Sequence, residues 1–242
     1  DACVEEGKLH LFLSEFIQAD TGMWGFEWKG TWLATFALPE MEETSLVPLP
    51  QGKASEVHLG HAVYPGEKFT YVYGAGDKKP HAARYKKGEP LKQWEYFNGE
   101  GWSTDPGDIA PILDIHGSEQ FSVFKDKEVF ILLTQMSDNP GQICSFTAKT
   151  PFGPWDNRQL LYETPLPDST DRLFTYNAVA HPHLAKKDQL LVSYNMNTLR
   201  LQDHFGNAAI YRPRFIRVPM EMIHPGWTEE DTAGKQKSSN NL

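Results

Sequence analysis

Short apolar runs, rich in aromatic and β-branched side chains, recur along the chain between polar turns, a pattern that predicts strands rather than helices. Four of these runs resemble one another: LHLFL at 9–13, FTYVY at 69–73, VFILL at 129–133 and LLVSY at 190–194. Their starts are separated by 60, 60 and 61 residues, and each run follows a charged turn. About ten residues ahead of the last three runs the pattern predicts inner strands at 59–63, 119–123 and 179–183. Third strands are expected at 31–38, 81–85, 143–148 and 211–218, and outer ones at 94–97 and 159–162. Four antiparallel strands per unit, repeated at a fixed period, predict an all-β fold of the β-propeller kind. A period of 60 exceeds the ~40–50 residues of a common blade and leaves room for long loops.

The first unit shows no leading strand, because extrapolating the period places it ahead of residue 1. The chain opens on Asp1 rather than Met, as a processed or cut chain would. The expectation is therefore a ring five-bladed in full, with about four blades visible over 1–227. A missing N-terminal fragment of the same propeller, or a longer precursor, would supply the remainder. The polar stretch 228–242 reads as a tail.

Composition narrows the function classes. Lys and Arg total 23 against 32 Asp and Glu, a net charge of -9, which argues against nucleic-acid binding through phosphates. The longest apolar run is five residues, at 129–133, far short of the ~18 that a membrane-spanning helix needs, so no membrane partner is expected. Two cysteines, Cys3 and Cys144, allow one bridge or two free thiols. No phosphate loop, dinucleotide fingerprint or G-x-S-x-G elbow is present, and no cofactor is expected.

Several segments carry a family resemblance. YNAVAHPHL, LLVSYNMN and YRPRFIRVPM, within 176–220, resemble the last blade of bacterial propellers in domain-of-unknown-function families 4185 and 5005. SEQFSV at 118–123, TPFGPW at 150–155 and the stretch from YVYGAG to WEYFNGEGW over 71–102 resemble preceding blades. The resemblance implies a five-bladed propeller akin to glycoside hydrolase family 43, in a group mostly exported, hence secreted or periplasmic. Some relatives cleave arabinose-containing glycans. In such folds inner strands carry axial carboxylates, and a first blade commonly donates an Asp that this chain is expected to lack.

Glycoside hydrolysis needs two carboxyls flanking the scissile bond. Glu119 is the acidic residue in the three expected inner strands, and Asp114 could reach the same mouth from its loop, so both are candidate catalytic groups. Glu119 could equally be a blade-closing acceptor. His61 and His181 hold the same third place in two inner strands and are candidate sugar-binding groups, or hydrogen bonds between blades. His181 and His183 have a spacing found in metal sites, but no third ligand is identifiable, and no metal is assigned. Arg212 and Arg214 would share one strand face and could grip an acidic sugar or pair with neighbouring carboxylates. Trp24, in the Gly-flanked DTGMWGFEW, is a candidate stacking platform, whereas Trp94 and Trp155 are expected to pack between sheets. Lys78, Lys79, Arg84, Lys86 and Lys87 read as a solvated face. The leading expectation is a glycoside-hydrolase-like propeller taking a polysaccharide or oligosaccharide at its axis. The alternative is a noncatalytic glycan-binding or scaffolding propeller, since the fold serves both.

Overall fold

A computed structural model describes residues 1–21, 25–165, 172–186 and 188–224. Its strands form four antiparallel sheets in sequence order, as the blades of a β-propeller. The first sheet holds β1 (Ala2–Glu5), β2 (Lys8–Gln18), β3 (Phe26–Ala37) and β4 (Glu42–Leu49). The second holds β5 (His58–Pro65), β6 (Phe69–Gly76), β7 (Lys79–Lys86), β8 (Trp94–Phe97) and β9 (Trp102–Ser103). The third holds β10 (Ser122–Asp126), β11 (Val129–Gln135), β12 (Gln142–Ala148) and β13 (Asp156–Glu163). The fourth holds β14 (Leu173–Lys186), β15 (Gln189–Thr198) and β16 (Arg214–Pro219).

Tight turns set the hairpins. Glu5 pairs with Lys8 across Glu6 and Gly7, both at positive φ, the mirror-type turn whose twist matches antiparallel strands. Gly76 pairs with Lys79 across Asp77 (φ 48°) and Lys78 (φ 61°), the same geometry without a glycine in either central place.

Apolar layers hold successive sheets face to face. Phe12 and Leu33 of the first sheet pack with Val72, Tyr85 and Trp94 of the second. Tyr73 and Phe97 of the second meet Phe121, Leu132 and Phe146 near or on the third. Ile131, Leu133 and Ile143 of the third meet Ala178, Leu190 and Val192 of the fourth. Trp94 and Trp155 are both buried in these layers, as expected of packing residues. Cys3 and Cys144 are free, buried thiols in different sheets.

Three sequence expectations change. The first sheet does have a leading strand, β1, paired with Lys8–Leu11 of β2. Ala2–Glu5 stand 60 residues ahead of Ala62–Pro65, the part of β5 that follows its bulge, so the period holds for this strand and only the extrapolated start fell ahead of residue 1. β10 begins at Ser122, so Glu119 lies in the turn ahead of the strand, where Gly117 bridges Met136 and Ser118 N–H reaches Gln135 O at 2.8 Å. An acidic residue does occupy an inner strand: Glu5 is buried, with its carboxylate accepting from Thr70 Oγ1 and, at 3.0 Å, from Gly88 N–H. The role of a blade-closing acceptor belongs to Glu5.

Candidate functional site

Irregularities at the leading ends of the inner strands build one cavity. In β5 the register slips between Leu59 and Ala62, so Gly60 and His61 bulge out of the ladder. Gly60 takes φ 111°, a conformation that side-chain-bearing residues rarely adopt. His58 and His61 would face opposite sides of a regular strand. The bulge instead brings their rings to a centroid distance of 4.2 Å. β14 slips at the corresponding place, between Tyr176 and Val179, with Asn177 at φ 53°. Asn177 is held by Ser118 Oγ–H, which donates to its Oδ1 at 2.9 Å.

The cavity has a volume of about 1400 Å³ and receives side chains from all four sheets. The first sheet gives Ser14, Phe16, Phe26 and Trp28; the second gives His58, His61 and the turn residue Lys78. The loop before β10 gives Ser118, Glu119 and Gln120. The fourth sheet gives Phe174, Tyr176, Asn177 and Asn197, and the segment before β16 gives Tyr211, which is 63% exposed. Lys78 is fixed there because Gly117 N–H donates to its carbonyl at 2.9 Å.

Three titratable groups converge within this cavity. One ligand atom from each of His58, His61 and Glu119 lies within 4.8 Å of the other two. Trp28 stacks on His58 at 4.4 Å with planes 26° apart, and His58 Nε2 lies 2.7 Å from Ser14 Oγ. Burial lowers the His58 pKa to about 4, helped by the Lys53 ammonium. Burial and the neighbouring His58 lower that of His61 to about 3. His61 Nε2 is buried without a hydrogen-bond partner. Burial raises the pKa of Glu119, opposed by the Lys78 ammonium. Among the described residues lining the cavity, Glu119 carries the one carboxyl.

Of the residues singled out in the sequence, Glu119 and His61 meet here. Asp114 does not line the cavity: its side chain is 89% exposed and pairs with Lys79 at 2.7 Å. His181 lies beyond the bulge of β14, on the sheet face turned from the third sheet, 2.8 Å from Ser193 Oγ. Its ring and that of His183 are 6.1 Å apart, and the two are in no three-ligand group among the described residues. Arg212 precedes β16 and Arg214 opens it; both are exposed, and Arg214 donates to Ala209 O at 2.9 Å. Trp24 lies outside the described residues. The basic run divides: Lys78 is exposed, as expected, while also lining the open cavity, whereas Arg84 pairs with Glu95 at 2.6 Å over the Trp102 ring and so leaves the solvated face. His58 and Asn177 were missed. The available signals were Gly60 between two histidines and an Asn able to take positive φ.

The model of Domain of unknown function (DUF5005) matches residues 1–228. No curated protein matches the chain. A crystal structure of a "putative hydrolase" from Bacteroides ovatus is similar, with TM-score 0.73 and 23% identity over 90% of this chain. The chain spans 59% of the length of that structure. A GH43 beta-xylosidase/alpha-arabinofuranosidase from a compost microbial metagenome, in complex with xylotriose, gives TM-score 0.50 at 13% identity, over 90% of this chain and 68% of that one. An exo-beta-1,3-galactanase from Phanerochaete chrysosporium, with galactose, gives 0.50 at 11%, over 90% and 44%. At these identities the likeness is one of fold: a glycoside-hydrolase-like propeller.

Proposed function

The chain belongs to the DUF5005 family, and from that premise and the axial geometry we propose that its cavity receives a polysaccharide or oligosaccharide as a recognition site. The observation carrying this reading is an open cavity of about 1400 Å³ lined by aromatic rings of two sheets together with neutral and charged polar side chains. Phe16 and Phe26 come from the first sheet, Phe174 and Tyr176 from the fourth, and Tyr211 from the segment before β16. Flat apolar rings can cover the C–H faces of sugars. Gln120, Asn177, Asn197 and Lys78 supply convergent polar groups for hydroxyls. Such a role suits a secreted or periplasmic setting, where polymeric glycans are met.

Hydrolysis is the second reading, favoured by Glu119, a carboxyl in the cavity whose pKa is raised by burial. Two carboxyls are needed, so this reading requires a partner for Glu119 from outside the described lining residues.

Titration calorimetry with xylo-, arabino- and galacto-oligosaccharides, paired with a reducing-sugar assay, tests both. The expected result is saturable binding without turnover, weakened about tenfold by Tyr211→Ala, the loss of one stacked ring of ~1.4 kcal/mol. No binding across the panel, or binding indifferent to both Tyr211→Ala and Phe16→Ala, overturns the recognition site. Sugar release abolished by Glu119→Gln replaces it with hydrolysis.

A further inference from the structure

We propose that His58, His61 and Glu119 form a binding site for one divalent transition-metal ion of the zinc class, open on one side to the axial cavity. The site is assembled from two blades. The β5 bulge contributes both imidazoles on one side of the strand, and the loop before β10 contributes the carboxylate.

Geometry is the first support. The three ligand atoms lie within 4.8 Å of one another. A zinc-class ion at about 2.0–2.2 Å from each donor holds tetrahedral ligands about 3.3 Å apart. Rotations closing at most about 1.5 Å therefore complete the set, well within the reach of a glutamate in a turn.

The second support is independent of the clustering. His61 Nε2 is buried and has no hydrogen-bond partner, which is uncommon for a polar atom in a folded interior. A cation on that nitrogen gives it the partner that the surrounding residues do not. His58 fits from the other side. With its Nε2–H donating to Ser14 Oγ at 2.7 Å, Nδ1 keeps a free lone pair. That outer hydrogen bond is the usual companion of a metal-ligating imidazole, because it fixes the tautomer and aims the ring. Trp28 stacked on His58 and Phe16 at its edge keep one flank apolar, which limits competition from water.

Donor chemistry selects the ion. Two imidazole nitrogens and one carboxylate suit zinc, cobalt or nickel, whereas calcium and magnesium take oxygen ligands. Two neutral rings and one anion also leave a dication only partly neutralised. With three protein ligands the remaining positions face the cavity, where water or a polar ligand group can enter.

The test uses metal alone, without glycan, so it stands or falls separately from the recognition reading. Chelator-treated full chain is titrated with zinc by calorimetry, and with cobalt by its visible absorption. One ion per chain is expected, with His61→Ala and Glu119→Gln each weakening binding at least about tenfold and His181→Ala leaving it unchanged. A hundredfold excess of calcium should not displace zinc. Glu119→Gln guards against a folding artefact, because Glu119 lies outside any strand and the substitution is nearly isosteric. Absence of binding, binding indifferent to both His61→Ala and Glu119→Gln, or displacement by calcium overturns the proposal.

Discussion

β5 and β14 lead their sheets, both carry a bulge at the cavity end, and both carry two histidines. In β5 the bulge contains His61 itself and turns it against His58, beneath Trp28 and beside Glu119. In β14 the bulge contains Asn177 and Ala178, so an amide reaches the cavity while His181 and His183 follow along the emerging strand. There His181 is satisfied by Ser193 and packs near Phe215, which is 60% exposed. Position relative to the bulge decides which side chains meet in the cavity. Spacing between like residues does not.

The strongest way to break this contrast is to remove the bulge. A Cβ on Gly60 would sit 3.0 Å from Phe12 Cβ, in a backbone conformation unfavourable to L-residues. Gly60→Val should cost about 3 kcal/mol, from backbone strain and overpacking. Urea unfolding reads this, with Pro182→Ala, exposed between the other two histidines, expected within about 0.5 kcal/mol of the parent.

A smaller effect, of opposite sign, should follow from His61→Leu. In chelated protein it removes an unpartnered buried nitrogen and should raise stability by about 1 kcal/mol. His181→Leu, which loses the hydrogen bond to Ser193, should instead lower it by about 1 kcal/mol. Added zinc should reverse the order of parent and His61→Leu, since only the parent gains from binding. A parent unaffected by zinc leaves the two histidine pairs equivalent in this respect.

The shallowest expected effect concerns acid. Burial lowers the pKa of His10 and of His81, against opposing contributions from Glu5 and from the hydrogen bond to Lys79 O. Both remain neutral in the fold while the unfolded chain takes up protons near 6.5. Their contribution to stability is therefore complete above about pH 6.5 and declines gradually below it. Replacing both with Gln should flatten that slope in chemical denaturation measured against pH, whereas His183→Gln, at an exposed position, should leave it intact.

The repeat was legible because packing of blade on blade demands apolar strands at regular intervals. The four runs found by their 60-residue spacing are β2, β6, β11 and β15. Local departures were not legible. The period assigned Glu119 to a strand, but hydrogen bonds of Gly117 and Ser118 hold it in a turn. His58 was passed over because a regular strand would turn it from His61, and only the positive φ of Gly60 reverses that. Lys78 was read as solvated, which it is, but its place beside the cavity was not legible because its tie to Gly117 joins residues far apart in sequence.

The Asp77–Lys78 turn has a further consequence. Two residues with side chains occupy the left-handed region where glycine would rest at no steric cost, so the hairpin holds backbone energy of about 1–2 kcal/mol per residue. That energy keeps an ammonium beside a cavity that, among the described lining residues, holds one carboxyl. A sequence selected for stability alone would place Asn-Gly there. The fold instead tolerates a loaded spring where a hairpin of its second sheet is tied to the loop that leads into its third.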